Sequence, residues 1–515
     1  MPGAEPAQPV AQALRRSVGT ATATATSAGL AFAAIDYLGV VSVLAYAPGA
    51  TAAVAILVGG LIVLLVSGIF SELNGLYPTA AGIRLYLGRA VGLRTSLSVT
   101  FTYMVTVVLV IAADAFLIGA AVRHVLHEPA VLAYVWIAVL LGVALAANLL
   151  GVRLAGWVQT VVTYTVLTGT VVLSVIALFH VGSAFHHPLN LFGQGSFSGV
   201  QAIAFALFLY AAFEWVTTTA EEARAPRVIT RALFIAPVLI WITSTLFALA
   251  LAHLLPYSSL HGSAYPQLLL GQAALGTVGE VWMLGLTVLT ALNTFNGGFL
   301  VASRFIYAAA REGNLPRQFA WLNLRAVPWL AVTTLAVVAA VVAAAVFATG
   351  QWLLLVAVGA ALESGIYAIA ALCLVVLRRR ETRERPFTLV AGKPLAVFGI
   401  VIFTILFLAT GFSDPKNARH FSVAPIGVIA VLAALSTGYV LIFVPKLRAA
   451  AAARTAAARP RRRPPRPDGG SAAPTPTDPI TAPDVTEDPA GQAGPAEAAV
   501  PPRFRANPEI PPALG

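Results

Sequence analysis

The chain has 515 residues, of which 58% are hydrophobic and 10% charged, with a formal net charge of +11. A soluble domain carries about 25% charged residues, so an ordinary globular protein is excluded. The single cysteine, Cys373, excludes an intramolecular disulfide, and no GxSxG, HExxH or phosphate-loop pattern supports an enzyme.

Residues 1–27 read as a polar leader holding Arg15, Arg16 and the stretch TATATATS. Twelve apolar runs follow, at 28–48, 52–72, 97–122, 131–150, 155–181, 199–220, 232–255, 278–308, 328–349, 352–378, 394–412 and 422–445. Each is close to or longer than the roughly 20 residues that cross about 30 Å of hydrocarbon at ~1.5 Å per residue. Helix satisfies its own backbone in lipid, and the runs are too long and too little alternating for barrel strands. The expectation is an all-α integral membrane protein with about twelve transmembrane helices over 28–445. Residues 446–515 are rich in Pro, Ala and Arg and are expected to be a disordered tail. Its Arg461, Arg462, Arg463 and Arg466 suit either plain solvation or contact with anionic lipid.

Basic residues orient the chain. With the N-terminus inside, the inner loops hold Arg84, Arg89, Arg94, Arg153, Arg224, Arg227, Arg231, Arg304, Arg311, Arg317, Arg325 and the cluster from Arg378 to Lys393. The outer loops hold only Arg123, Lys416 and Arg419. Both termini are therefore expected in the cytoplasm, with the protein in the plasma (cell inner) membrane. The net charge then reports topology rather than nucleic-acid binding.

In the stretch FLYAAFEWVTTTAEEARAP, residues 208–226, Glu214 sits within an apolar run. Asp36 and Asp114 are likewise embedded, and Glu363 lies near the start of the tenth run. An acid at bilayer depth costs about 2.5–3.5 kcal/mol on insertion scales, and no Lys or Arg lies deep in any run. Asp36 is about eight residues from one end of its span and Glu214 about six, which gives similar depths at ~1.5 Å per residue. If the spans are adjacent, the two carboxylates share a site and cannot both ionise easily, which suits proton coupling or a bound cationic group. The plainer reading is a protonated acid hydrogen-bonded to a neighbouring helix, and for Asp114 both readings stay open. Glu221 and Glu222, beside arginines, read as a solvated ion-pair cluster. His186 and His187 have no partners at metal spacing, so no metal or cofactor is expected.

The first run contains AIDYLGVVSVLAYAPG, with Gly39, Ser42 and Pro48, and the sixth contains FALFLYAAFEWVTTT. Irregular segments in the first and sixth of ten spans are what five plus five inverted repeats would show.

Five separated motifs carry a resemblance: YPTAAGIRLYLGRAVG (77–92), NLLGVRLAGWVQT (148–160), the sixth-span stretch at 208–232, SRFIYAAAREGNLP (303–316) and RRRETRERPF (378–387). Together they resemble the amino acid–polyamine–organocation (APC) family of permeases over about 28–445. The resemblance implies a LeuT-like fold, with a 5+5 inverted repeat plus two peripheral helices. It implies a secondary active transporter for amino acids or related amines, working by alternating access, with a small-molecule substrate, a proton as coupling ion and the lipid bilayer as surroundings. Substrate would sit where spans 1 and 6 unwind, its carboxylate on free amides of the first and its ammonium on carbonyls of the sixth. By motif match Val41, Ser42 and Val43 occupy the family's Gly-x-Gly, with Asp36, Tyr37 and Gly39 beside them. Tyr210, Ala211 and Ala212 line the sixth span, and Asn296 and Phe299 of NGGF the eighth. The family glycines are absent at Val41 and Val43, and Gly39 offers a break one turn away. Glu214, Asp36 and Asp114 are the expected proton-coupling acids. Val166 stands where some members carry a sodium-mimicking lysine. A sodium-coupled symporter of the same fold and a substrate-sensing receptor without transport are the alternatives.

Overall fold

The computed structural model describes residues 18–79, 82–150, 156–180, 185, 196–260, 262–414 and 420–458. Arg15, Arg16, Arg153, the His186–His187 pair, Lys416, Arg419 and the arginines beyond 458 lie outside the described residues. Among the described residues eleven helices are long and apolar enough to cross a bilayer, and the bent pair Thr20–Ala31 and Asp36–Tyr46 makes a twelfth span. In chain order these are span 1 (the bent pair), span 2 (Thr51–Leu76), span 3 (Leu93–Val125), span 4 (Leu132–Leu149) and span 5 (Gly156–Leu178). Span 6 is the helix Ser196–Phe208 continued by the tighter helix Phe213–Glu222. Span 7 (Pro226–Leu254), span 8 (Thr277–Arg311), span 9 (Trp329–Thr349), span 10 (Trp352–Arg380), span 11 (Gly392–Gly411) and span 12 (Ala424–Ala458) follow.

The packing repeats between the halves. Span 1 packs on spans 5 and 7, as span 6 packs on spans 10 and 2. Span 3 packs on spans 4 and 9, as span 8 packs on spans 9 and 4. Each pairing within spans 1–5 thus has its counterpart five spans later, the relation of a 5+5 repeat with a LeuT-like fold. Spans 11 and 12 stand outside it. Span 11 lies against span 10, and span 12, whose Val431, Leu435, Ile442 and Phe443 are exposed, lies against spans 3 and 10.

Span 1 corrects the sequence reading in two places. Its helix starts at Thr20, inside the expected leader, and buries Ala23, Thr24, Ala25, Ser27 and Ala28. This half-helix is surrounded by protein rather than lipid, so small and hydroxylated residues serve it better than leucine: they allow close approach and bond to neighbours. Ser27 Oγ donates to the Phe213 carbonyl at 2.7 Å, and Thr163 Oγ1 to the Ala25 carbonyl at 3.2 Å. The break lies between Ala31 and Asp36, with a bend of 60°. Val41, Ser42 and Val43, expected at the break, lie instead inside the continuous second half, where Ser42 Oγ donates back to the Leu38 carbonyl at 3.2 Å. Gly39 is a packing position: a Cβ there would meet Leu209 Cδ2 at 2.8 Å, so its absence lets span 1 approach the interruption of span 6.

Span 6 is interrupted between Phe208 and Phe213, where Ala212 has φ 70°. A left-handed residue with a Cβ is strained by roughly 1–2 kcal/mol. Ala212→Val should therefore lower the thermal unfolding midpoint of the purified protein, while Ala212→Gly should hold or raise it. Equal midpoints for the two variants would refute the strain.

Candidate functional site

The two interruptions bring two groups of buried acids to the centre of the bundle. At the break in span 1 the Phe32 amide still donates to the Ala28 carbonyl at 2.7 Å, and the amides of Ala33–Ile35 leave the regular helical ladder. Asp36 Oδ2 accepts from the Ala33 amide at 3.1 Å. Asp114 Oδ1, from span 3, accepts from the Ile35 amide at 2.7 Å. Both carboxylates sit at the start of the helix Asp36–Tyr46, where its dipole favours negative charge. The chain's own acids thus occupy the amide positions where the resemblance seats a substrate carboxylate.

At the interruption of span 6, Glu214 Oε1 accepts from the Tyr103 hydroxyl and Glu214 Oε2 from the Tyr367 hydroxyl at 3.3 Å. Glu363, from span 10, accepts on Oε1 from the Ala212 amide at 3.2 Å and faces the Tyr103 hydroxyl at 3.3 Å. Trp215 Nε1 donates to the Tyr103 hydroxyl at 2.7 Å. Among the described residues no Lys, Arg or His forms an ion pair with Glu214 or Glu363.

The sequence reading joined Asp36 to Glu214 at one depth. The structure groups them otherwise: Asp36 and Asp114 accept from amides of the span 1 break, and Glu214 and Glu363 face the same Tyr103 hydroxyl. The cause is the early start of span 1. Asp36 lies sixteen residues from Thr20 rather than about eight from residue 28, a difference of roughly 12 Å of helix at ~1.5 Å per residue.

Glu214 and Tyr103 line a cavity of 370 Å³ bounded by Thr100, Trp215, Thr217 and Thr218 and, at its far end, Arg84, Arg304 and Glu312. A second cavity of 370 Å³ shares Trp215, Thr218, Val301 and Arg304 with it and includes Asn296, Gln159 and Arg325. Both reach the face that carries the basic residues. Of the other expected site residues, Tyr37 bonds through its hydroxyl to Thr170 Oγ1 at 3.0 Å, and Tyr210 donates to the Ile56 carbonyl at 3.3 Å. Ala211 lies buried in the span 6 interruption, and Val41, Val43 and Phe299 are buried in the apolar core.

Three acids on the basic face form ion pairs with partners that the sequence did not single out. Glu72, fully buried at the end of span 2, accepts from Arg378 Nε at 2.8 Å, from Arg385 and from the Leu389 amide at 2.9 Å. Arg84 and Glu312 form a two-pronged pair at 2.6 and 2.7 Å, joining the motif after span 2 to the motif after span 8. Glu222, expected in a cluster with Arg224, Arg227 and Arg231, meets Arg304 of span 8 at 3.4 Å. The signal was present for each as an acid and a basic residue in different motifs, but nothing in one sequence says which motifs meet.

The model of the family described as "Amino acid permease" matches residues 23–448, which runs from the first half of span 1 into span 12. The chain belongs to the amino acid permease family. It is therefore a multi-pass membrane protein of a transporter family. Among curated permeases it is 29% identical over 208 residues to a branched-chain amino acid permease of Lactococcus lactis, covering 39% of this chain and 42% of that one. It is 26% identical to a D-serine/D-alanine/glycine transporter of Escherichia coli, covering 50% and 54%, and 24% identical to a gamma-aminobutyric acid permease of Bacillus subtilis, covering 55% and 62%. These matches span about half the length of the relatives. In fold this permease resembles a manganese transporter of Eremococcus coleocola, solved with an aromatic bis-isothiourea compound, at TM-score 0.53 and 14% identity over 84% of this chain and 95% of that one.

Proposed function

We propose that this permease is a proton-coupled secondary active transporter of amino acids or related amines, working by alternating access in the plasma membrane with both termini in the cytoplasm. The observation that carries the reading is the cavity that runs from the basic face to Glu214 at the interrupted sixth span. Basic loops face the cytoplasm, so this cavity is the inward vestibule. An acid placed there, hydrogen-bonded by neutral hydroxyls and reached by water, can take or release a proton without a fixed counter-charge. Spans 1, 2, 6 and 7 would rock against spans 3, 4, 8 and 9, a population shift driven by differential binding of substrate and proton to the two states. The pair Glu222–Arg304 joins span 6 to span 8, one group to the other, and would be remade in each cycle. The relatives' names supply the substrates to try: leucine, glycine, D-alanine, D-serine and gamma-aminobutyrate.

The test is reconstitution in liposomes, with counterflow of each labelled compound and accumulation under an imposed pH gradient. Glu214→Gln should abolish gradient-driven accumulation and leave counterflow within about threefold of wild type, since an amide keeps the size and one acceptor oxygen of the side chain but carries no titrating proton. Unchanged accumulation by this variant would remove Glu214 from the coupling.

A further inference from the structure

Glu363 entered the sequence reading only as the weakest of the embedded acids, and the structure gives it a specific partner. It is fully buried on span 10, and its Oε2 has no hydrogen-bond partner. Its Oε1 shares the Tyr103 hydroxyl with Glu214, and Tyr367 donates to Glu214 Oε2 at 3.3 Å. Trp215 already donates to the Tyr103 oxygen, so that hydroxyl has one hydrogen to give and two carboxylates to receive it.

We propose that Glu214 and Glu363 hold one proton between them through Tyr103, and that Glu363 is the dry half of the coupling site; this rests on the proton-coupled reading above. In one arrangement the proton is on Glu363 Oε1, the oxygen that faces Tyr103, and Tyr103 donates to Glu214. In the other the proton is on Glu214 and Tyr103 donates to Glu363. Transfer between them breaks the O–H bond of the Glu214 carboxyl and makes one on the Tyr103 oxygen. The original Tyr103 hydrogen passes to Glu363 in the same step, so atoms and charge balance and no co-reactant is needed.

The surroundings favour sharing. Glu214 and Tyr103 line the vestibule, so protons enter from that side, and Glu363 lies behind them. The groups facing the pair are Tyr103 from span 3, Tyr367 from span 10 and Trp215 from span 6. The nearest charges across the vestibule are already engaged, Arg84 with Glu312 and Arg304 with Glu222. Glu72 is bound to Arg378 and Arg385, and Asp36 and Asp114 are bound to the amides of Ala33 and Ile35. With no cation in contact among the described residues, one proton is what keeps two carboxylates together in a medium of low dielectric. Glu363 sits on span 10 and Glu214 on span 6, so the shared proton also ties the two elements together.

Difference infrared titration of the full chain in lipid tests this without a substrate, by following the carbonyl stretch of protonated carboxyls. Glu363→Gln should move the midpoint of the Glu214 band by more than about one pH unit, and Glu214→Gln should move the Glu363 band reciprocally. Bands that titrate unchanged in the partner's absence would overturn the proposal. Should Glu363→Gln not survive purification, Glu363→Asp and Tyr103→Phe carry the same comparison, since either disturbs the shared hydroxyl. Transport separates the two levels of the argument. If wild type accumulates labelled leucine, D-alanine or gamma-aminobutyrate under a pH gradient and Glu363→Gln does so equally, the shared proton is refuted and proton coupling stands. If wild-type transport ignores the gradient while the infrared bands are linked, proton coupling is refuted and the shared proton stands.

Discussion

Glu72→Ala is expected to be among the most damaging single substitutions in the protein. Glu72 has no exposure, and the side chains of Arg378 and Arg385 are 15% and 9% exposed. All three were taken out of water when span 2 met the end of span 10. Their attraction, with the Leu389 amide as a further donor, offsets that desolvation. Removing the acid leaves two arginines facing each other across an empty site, and breaking a buried ion pair from one side costs about 3–5 kcal/mol. The expected result is a large fall in the thermal unfolding midpoint and in membrane yield. Arg379, exposed beside Arg378, gives the control: Arg379→Ala should change stability by less than about 1 kcal/mol. Replacing Glu72, Arg378 and Arg385 together by methionine should recover much of the loss, because a neutral, packed site no longer holds an unpaired charge. If Glu72→Ala and Arg379→Ala unfold alike, the buried triad contributes nothing.

How much of this architecture was legible in the sequence follows from what hydropathy measures. It responds to lipid, so the eleven spans with a lipid-facing side were readable from Thr51 onward. The first half of span 1 was not, because Thr20–Ala31 is enclosed by protein and its alanines, serine and threonines are chosen for fit. Misplacing that start displaced Asp36 by about two turns and produced the expected Asp36–Glu214 pair. The interruption of span 6 was placed by resemblance, and Tyr210–Ala212 do lie there. The span 1 break was placed by analogy at Val41–Val43, but β-branched residues at those positions suit the continuous helix the structure shows. Glu363 and Glu72 were harder to read for a common reason. Each is a helix residue whose meaning depends on a partner between about 150 and 310 positions away, as the Glu363–Ala212 and Glu72–Arg385 bonds are, and such pairings lie in the packing of spans rather than in local pattern.

Asp114→Ala should undo the bend of span 1, the second large effect expected. The amide of Ile35 lies at a break closed off from water, and Asp114 is its acceptor. A buried amide left without a partner costs about 1–3 kcal/mol, so the two halves of span 1 lose the anchor that holds them at 60°. Asp114→Asn keeps an acceptor oxygen of the same reach and should lose much less. Hydrogen exchange at the Ile35 amide reads the difference at a single atom. It should be protected in wild type, still protected in Asp114→Asn, and at least tenfold faster in Asp114→Ala, since a factor of ten is about 1.4 kcal/mol. Transport should follow the same order. Asp114 belongs to span 3, in the group proposed to stay still, while the amide it holds belongs to span 1, in the group proposed to rock. An acceptor shared across that boundary sets where the moving helix can bend. If exchange at Ile35 is the same in the alanine and asparagine variants, the break is held by the packing of Phe32 and Ile35 and not by the acid.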